Sequence, residues 1–171
     1  MARKEDAYGP WPLSPDGVGR VASLHIHPAK PGLSLIAVQS FHLVAQKGIE
    51  EDVRYFGRTN RFNGQPSRRQ LSVIEREQIL SHAKSFGIDN FAPGLVRSNI
   101  ETTGILLRDW LGCEVQIGQA VVLFYEPRTP CPKMDAIQPG LQERMKEARQ
   151  GVMAQIIRSG QVKIGDFLQK L

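Results

Sequence analysis

Cysteine is scarce in this sequence: Cys113 and Cys131 are the only two among 171 residues. They lie in unrelated contexts, and they form neither a CxxC pair nor the framework of a small disulfide-bonded domain. Reduced thiols are typical of the cytoplasm, so we expect a cytoplasmic protein. Each cysteine can then serve as a functional thiol, and each has to be weighed separately.

Long apolar runs and nucleotide-binding motifs are also missing. No run approaches the length of a membrane span, and residues 1–6 lead into no apolar segment of a signal peptide. We therefore expect no membrane partner. The glycines at 17, 19 and 118 belong to no Rossmann or P-loop pattern, which leaves nucleotide cofactors without support. No internal repeat is present.

Aromatic residues make up only 7% of the chain, and along the sequence they do not cluster beside the arginines. Proteins that bind single-stranded nucleic acid use aromatic stacking platforms, so we expect no nucleic-acid partner. The net charge of +5 indicates an anionic ligand or surface instead. Arg61, Arg68 and Arg69 make one loop the most basic part of the chain, suited to phosphate or carboxylate. A solvated loop is the alternative.

The length and a hydrophobic content of 41% predict a single core. Residues 1–18, with three prolines, are predicted to be an extended N-terminal arm, and residues 19–171 a single domain. Strand patterns are predicted at 19–28, 34–49, 93–105, 115–126 and 151–166, the last as a hairpin with a Ser159-Gly160 turn.

Two helices are predicted among these strands. Residues 71–87 have a capping box at Ser72 and Glu75 and a glycine stop at Gly87, and residues 139–150 form a short amphipathic helix. His82 is expected to be exposed. Helices this few do not suit repeated βαβ units, so the prediction is a mostly β (α+β) fold, a curled antiparallel β-barrel with two or three short helices.

Cys131 has a proline on each side, Arg128 three residues before it and Lys133 two residues after it. Prolines keep the segment extended at the end of a strand. Neighbouring positive charge favours the thiolate, which attacks electrophiles, carries sulfur as a persulfide or binds a soft metal. The alternative is a small buried hydrophobe, and the apolar neighbourhood of Cys113 predicts that role for Cys113.

Other polar residues are weaker candidates. Arg97 and Asn99 interrupt a strand-like segment and need partners, so both are candidates for ligand contact. His25 and His27 share one face of the first predicted strand, and two such histidines can chelate a metal. No third ligand is near them in the sequence, so a metal site there is not favoured.

Several segments together resemble the MOSC domain, which is found at the C-terminus of molybdenum-cofactor sulfurases and as stand-alone bacterial proteins. They are residues 97–100, Gly112, 117–118, 128–131, 151–154 and 162–166. The resemblance runs from about residue 19 to residue 166. It implies a barrel of the MOSC or pyruvate-kinase type whose Cys131 carries sulfur or ligates the molybdenum of a pterin cofactor. Some members reduce N-hydroxylated compounds with electrons from a partner.

The resemblance also implies roles for other residues. Arg128 and Lys133 would hold the thiolate, and Asp52, Arg54, Arg97 and Asn99 would surround the pterin or its phosphate. Glu51 departs from the family, which has glycine at this place. The pyridoxal-phosphate domain of some relatives has no counterpart in the sequence, so we expect this chain not to release sulfur from cysteine by itself.

Two functions stay open. The first is binding of the molybdenum cofactor through Cys131 for oxidoreductase chemistry, with an electron-transfer protein as partner. The second is a non-redox persulfide carrier, with a cysteine desulfurase as partner. A pterin cofactor has a phosphate and a soft metal, which match the basic loop and the thiolate. A homodimer is a further candidate assembly.

Overall fold

The structure, a computed structural model, describes residues 13–171. Of the predicted N-terminal arm, residues 1–12 lie outside this range. The strands are β1 Gly19–Ile26, β2 Ile36–Val38, β3 Ser40–Val44, β4 Gly48–Ile49, β5 Leu71–Glu75, β6 Ile100–Thr103, β7 Glu114–Ile117, β8 Ala120–Pro127, β9 Val152–Arg158, β10 Gly160–Lys163 and β11 Phe167–Lys170. The helices are α1 Arg76–Ser85, α2 Lys133–Ile137 and α3 Leu141–Arg144, with a 3₁₀ helix at Leu107–Trp110.

Seven strands close into a barrel. Their order is β11-β7-β8-β9-β5-β6-β1, and β1 pairs with β11 to complete the ring. The β5–β6 pairing is parallel, and the other pairings around the ring are antiparallel. Strand β2 extends the sheet beside β1, while β10, β3 and β4 form a small second sheet. The predicted mostly β, mostly antiparallel barrel with a few short helices is confirmed.

The barrel interior is filled by alternate strand residues. On β8 the side chains of Ala120, Val122 and Phe124 are completely buried, as the two-residue period of a strand requires. A second apolar cluster lies under the helices and joins Ile79 of α1 to Met134 of α2 and Leu141 of α3. Burial of Met134 in this cluster anchors the chain just after Cys131.

The predicted helix at 71–87 is wrong in its first turn. Residues 71–75 form β5, in which all five side chains are buried, and α1 begins only at Arg76. Strand β5 lies between β6 and β9, so its backbone groups are used on both edges. The capping box is therefore absent: Ser72 bonds to Asn99, and Glu75 Oε1 accepts from Leu107 N at 2.7 Å.

The predicted 151–166 hairpin is also wrong. Strand β9 pairs with β5 and β8, which occupy both of its edges, and β10 pairs with β3 in the small sheet. The predicted helix at 139–150 covers only Leu141–Arg144, because Glu147 and Ala148 have left-handed backbone angles of φ 60° and 63°. A helix cannot continue through such residues.

His82, expected to be exposed, is buried at 2% exposure. Its Nε2 lies 2.7 Å from the carbonyl oxygen of Arg149, so α1 is tied to the segment that precedes β9. Burial lowers the pKa of His82 to about 4, although this hydrogen bond acts in the opposite direction. The side chain is therefore a neutral structural group at physiological pH.

Within residues 13–171, the structure has no helix that is both long enough and apolar enough to cross a membrane. The longest, α1, has ten residues.

Glu75 predicts a pH dependence of stability. Burial raises its pKa from an ordinary 4.5 to about 7, and the charge of Glu77 raises it further, against the hydrogen bond from Leu107 N. Because the folded chain keeps a proton that the unfolded chain releases, the stabilising contribution is complete below pH 4.5. It is lost as the pH rises through 7, and the full loss is about 3 kcal/mol.

The variant Glu75→Gln cannot release this proton. Its free energy of unfolding, relative to wild type, should rise by about 3 kcal/mol between pH 4.5 and pH 8, measured by urea denaturation at both values. Glu114→Gln, on an exposed residue of β7, is the control and should show no such change. An equal pH dependence in Glu75→Gln and wild type would contradict the assignment.

Candidate functional site

A cavity of about 280 Å³ brings together six of the seven residues predicted for the site. These are Asp52, Arg97, Asn99, Arg128, Cys131 and Lys133. The seventh, Arg54, is not part of the lining. Its guanidinium lies 5.1 Å from the ring centroid of Tyr55, which does line the cavity. Six of the predicted site residues therefore lie around one cavity, and Arg54 lies behind Tyr55, a residue of the cavity wall.

The cysteine segment connects the barrel to a helix. Strand β8 ends at Pro127, Arg128 N then donates to Gly151 O at 3.0 Å, and α2 begins at Lys133. Cys131 itself is exposed, whereas Pro130 beside it is buried. The carbonyl oxygen of Cys131 accepts from Met134 N at 3.0 Å. The thiol thus reaches the cavity from a backbone held at both ends. By contrast, Cys113 packs against the barrel core.

Arg128 is a positioning residue for this wall of the cavity. Its Nη1 donates to Val96 O at 3.3 Å and its Nη2 to Arg97 O at 2.9 Å. Burial lowers the pKa of Arg128 to about 10, while its electrostatic interaction with Cys131 acts against that lowering. The guanidinium therefore stays charged at neutral pH while its nitrogens hold the neighbouring loop.

Arg97 is one of four non-glycine residues in the described range with positive φ, here 62°. This left-handed conformation costs energy and persists where surrounding bonds hold it. The carbonyl oxygen of Arg97 accepts from Arg128. The backbone N of Arg97 donates to Gly94 O, and the Nη1 of Arg97 donates to Leu33 O at 3.0 Å. The strained residue therefore lies at the cavity, as strained residues at functional sites commonly do.

Asn99 uses its side chain within the protein. Its Oδ1 accepts from both the N and the Oγ of Ser72, each at 3.0 Å, and its Nδ2 donates to His25 O at 3.2 Å. These bonds join β1, β5 and the segment before β6. Asn99 lines the cavity while it holds these elements together.

Asp52 forms a pair that the sequence did not predict. His27 donates to Asp52 Oδ2 twice, from its backbone N at 3.0 Å and from Nδ1 at 2.7 Å. Both residues line the cavity. His25, which was considered only as a metal ligand together with His27, is buried, with Nδ1 3.1 Å from Ser98 O. No sequence signal links His27 to Asp52, because they lie 25 positions apart and meet only in the fold.

Positive charge dominates the cavity. Arg58, Arg69, Arg97, Arg128 and Lys133 line it, against a single carboxylate, Asp52. None of these five cations forms a salt bridge with a carboxylate within residues 13–171. Arg69 belongs to the loop that the sequence marked as most basic, and Arg58 precedes that loop. An anion entering this cavity would meet uncompensated cations.

The arginines do lie beside aromatic rings, contrary to what their spacing along the chain indicated. Arg58 lies 5.2 Å from the Tyr55 ring centroid, Arg61 4.8 Å from Phe62, and Arg68 4.3 Å from Tyr125. Arg61 and Phe62 are adjacent in sequence, as are Arg54 and Tyr55, and Arg58 lies three residues after Tyr55. The contact of Arg68 with Tyr125 is made by the fold.

Sulfur also lines the cavity beyond Cys131. Met134 and Met153 contribute thioethers, and both side chains are buried. Neither residue was predicted, since a single methionine carries no local signal that distinguishes a cavity wall from ordinary core. The cavity wall therefore combines soft sulfur atoms with cationic groups and a side-chain amide.

Three solved structures share this fold. They are the YuaD protein from Bacillus subtilis (19% identity, 88% of this chain and 94% of that one, TM-score 0.72), YiiM from Geobacillus stearothermophilus (18%, 90% and 75%, 0.69) and YiiM from Escherichia coli (21%, 90% and 68%, 0.61). No curated protein matches the chain.

A sequence model of the MOSC domain matches residues 41–169, which is most of the chain and includes the Cys131 segment. The matched range also contains every predicted site residue. On this match, and with a barrel shared with the solved structures, the chain belongs to the MOSC domain family, a family associated with the molybdenum cofactor.

Proposed function

We propose that the chain binds the molybdenum cofactor in this cavity, with the thiolate of Cys131 as a protein ligand of the metal. The observation that carries the proposal is the placement of one exposed thiol and five cations around a single cavity that has one carboxylate. A thiolate suits a soft metal, and guanidinium and ammonium groups suit a phosphate.

The residues of the cavity fit the molybdenum cofactor in three respects. Cys131 offers the soft ligand. Arg58, Arg69 and Lys133 offer charge with no carboxylate partner within residues 13–171. Asp52 Oδ1 is a buried acceptor without a hydrogen-bond donor in the same range, and a pterin ring carries N–H groups that a carboxylate oxygen accepts.

When bound, the cofactor would supply two-electron redox chemistry, and reduction of N-hydroxylated compounds is the reaction that the family resemblance implies. The chain's own contribution is to hold and orient. Arg128 fixes the loop of Arg97 through two carbonyl oxygens, and the backbone around Cys131 fixes the sulfur. The cations around the cavity attract an anionic ligand and hold it.

The test is the molybdenum and pterin content of the purified protein, made in a host that synthesises the cofactor. Elemental analysis and the fluorescence of oxidised pterin should both give about one equivalent per chain. Protein from a host that cannot make the cofactor is the control and should contain neither. If protein from the competent host contains neither, the proposal is wrong.

A persulfide carrier is the second candidate, and the exposure of Cys131 favours it. The sulfur can be reached from outside, as transfer from a desulfurase requires. Incubation with a cysteine desulfurase and free cysteine should then add one sulfur atom to Cys131, seen by mass spectrometry after alkylation. Addition of sulfur without bound molybdenum would favour this function over the first.

We further infer an acidic electron-transfer protein as the partner of the first function. Residues 53–69 contain five arginines and no acidic residue, and they border the cavity through Arg58 and Arg69. Near the middle of this stretch Phe62 is 84% exposed beside Arg61. A basic surface with an exposed aromatic residue suits an acidic partner that buries the ring at its interface.

The variant Arg61→Glu should lower the rate of N-hydroxylamine reduction with a reduced acidic flavodoxin about tenfold at low salt. It should leave the rate with reduced methyl viologen unchanged, since a small donor needs no docking surface. The effect should shrink as salt rises. Lys84→Glu, exposed on α1, is the charge-matched control. Equal rates for both variants with flavodoxin would contradict this docking surface.

A further inference from the structure

We propose that His27, oriented by Asp52, is the proton donor of this cavity and protonates the oxygen that leaves when an N-hydroxylated substrate is reduced. The inference rests on the proposed function. It concerns a residue that the sequence analysis considered only as a metal ligand. The geometry of the His27–Asp52 pair carries it.

Asp52 fixes the imidazole in one orientation. Strand β1 ends at Ile26, and His27 then directs both its backbone N and its Nδ1 to the same oxygen, Asp52 Oδ2, at 3.0 and 2.7 Å. Asp52 is itself held in a turn, where its N donates to Ile49 O and its carbonyl oxygen accepts from two later amides. The side chains are only 16% and 4% exposed.

This pairing decides which ring nitrogen can exchange a proton. An ionised carboxylate only accepts, so Nδ1 carries the hydrogen of this bond. Nε2 is then the atom that can give a proton to a substrate or take one from water. Within residues 13–171, no hydrogen bond involves Nε2, and His27 lines the same cavity as Cys131. The arrangement of a carboxylate behind a histidine is a recurring way to position a general acid or base.

The surroundings of the ring are defined. The Tyr55 ring packs edge-on against His27, with centroids 4.6 Å apart at 76°. The guanidiniums of Arg54 and Arg58 lie over the ring of Tyr55, at 5.1 and 5.2 Å from its centroid. The hydrogen bond from Nδ1 to Asp52 and the edge-on contact with Tyr55 orient the imidazole and leave Nε2 as the ring nitrogen that is not engaged.

The chemistry needs such a donor. Reduction of R–NH–OH to R–NH₂ and water consumes two electrons and two protons. The electrons come from the external reductant. One proton passes from His27 Nε2 to the hydroxyl oxygen as the N–O bond breaks and water leaves, and the second reaches the nitrogen from solvent. Solvent then reprotonates His27, so the residue is unchanged after each turnover.

The test compares His27→Gln with His42→Gln. His42 is a matched control because its Nδ1 also lies 2.7 Å from a carboxylate oxygen, that of Glu51, but it is half-exposed and lies outside the cavity lining. With reduced methyl viologen as donor, His27→Gln should lower kcat for an N-hydroxylamine about a hundredfold with little change in KM. His42→Gln should keep the wild-type kcat.

Two readouts do not depend on turnover. His27→Gln should keep the molybdenum and pterin content of wild type. Nitrogen NMR of wild type should show His27 protonated at Nδ1. Asp52→Asn should abolish this preference for Nδ1 and should also lower kcat at least tenfold. The variant Asp52→Asn keeps the ring and removes its orientation, and its kcat is compared per bound molybdenum because Asp52 Oδ1 is also proposed to accept from the pterin.

The outcomes distinguish a failure of the proposed function from a failure of the role of His27. Wild type without molybdenum overturns the proposed function. Wild type with molybdenum, and His27→Gln with an undiminished kcat, overturns only the role of His27. Loss of molybdenum from His27→Gln also overturns it, because the residue would then hold the cofactor rather than donate a proton.

Discussion

Replacing Cys131 with serine should lower the molybdenum content of the purified protein more than tenfold and leave the fold intact. A serine hydroxyl stays neutral at pH 7 and is a hard ligand, so it cannot replace a thiolate on a soft metal. The structure explains why the fold should survive. The side chain is exposed, and the bond from Met134 N goes to the backbone carbonyl of Cys131, which the substitution keeps.

Cys113→Ser is the matched control. That thiol packs against the barrel core, so its replacement should cost about 1 kcal/mol of unfolding free energy and leave the molybdenum content unchanged. Elemental analysis gives the metal content, and thermal unfolding followed by circular dichroism gives the stability. An equal molybdenum content in wild type and Cys131→Ser would show that Cys131 is not a ligand of the metal.

The second large effect is on stability. Gly151→Ala should lower the free energy of unfolding by at least about 4 kcal/mol. Gly151 has φ +70°, and an added Cβ would lie 2.0 Å from Val73 O and 2.8 Å from Ile74 Cα. Both atoms belong to the backbone of β5, which pairs on both edges and cannot move aside. The carbonyl oxygen of Gly151 also accepts from Arg128 N, so the strain would reach the cysteine segment.

Gly165→Ala separates the clash from the backbone strain. Gly165 has φ +88°, but an added Cβ would meet no atom within 4 Å, so only the left-handed conformation costs energy, about 1 kcal/mol. Urea denaturation measures both variants. If Gly151→Ala yields no soluble protein while Gly165→Ala does, the expectation holds. Equal losses in the two variants would contradict it.

The Cys131 segment shows how far local sequence reaches. Two prolines and two cations around one cysteine predicted a functional thiol held in extended chain at the end of a strand, and Cys131 follows the end of β8 and is exposed. The resemblance to a known domain family extended this to a barrel and to a set of site residues. Six of those seven residues line one cavity.

Local patterns failed where two structures compete for the same residues. Ser72 and Glu75 match a capping box, yet they lie in a buried strand, because the barrel needs a partner for both β6 and β9 at that point. The run 151–166 matches a hairpin, yet β10 pairs with β3, because both edges of β9 are taken. Capping and turn signals do not report which edges are occupied.

The sequence by itself determined the class of the fold, the extended cysteine segment between two cations and the excess of positive charge, since each depends on composition or on residues adjacent in the chain. Tertiary structure decided the pairing of His27 with Asp52, the burial of His82, and the contacts of Arg128 with the loop of Arg97. These contacts join residues 25 or more positions apart. Only the closing of the barrel, which is driven by burial of its apolar faces, brings such residues together.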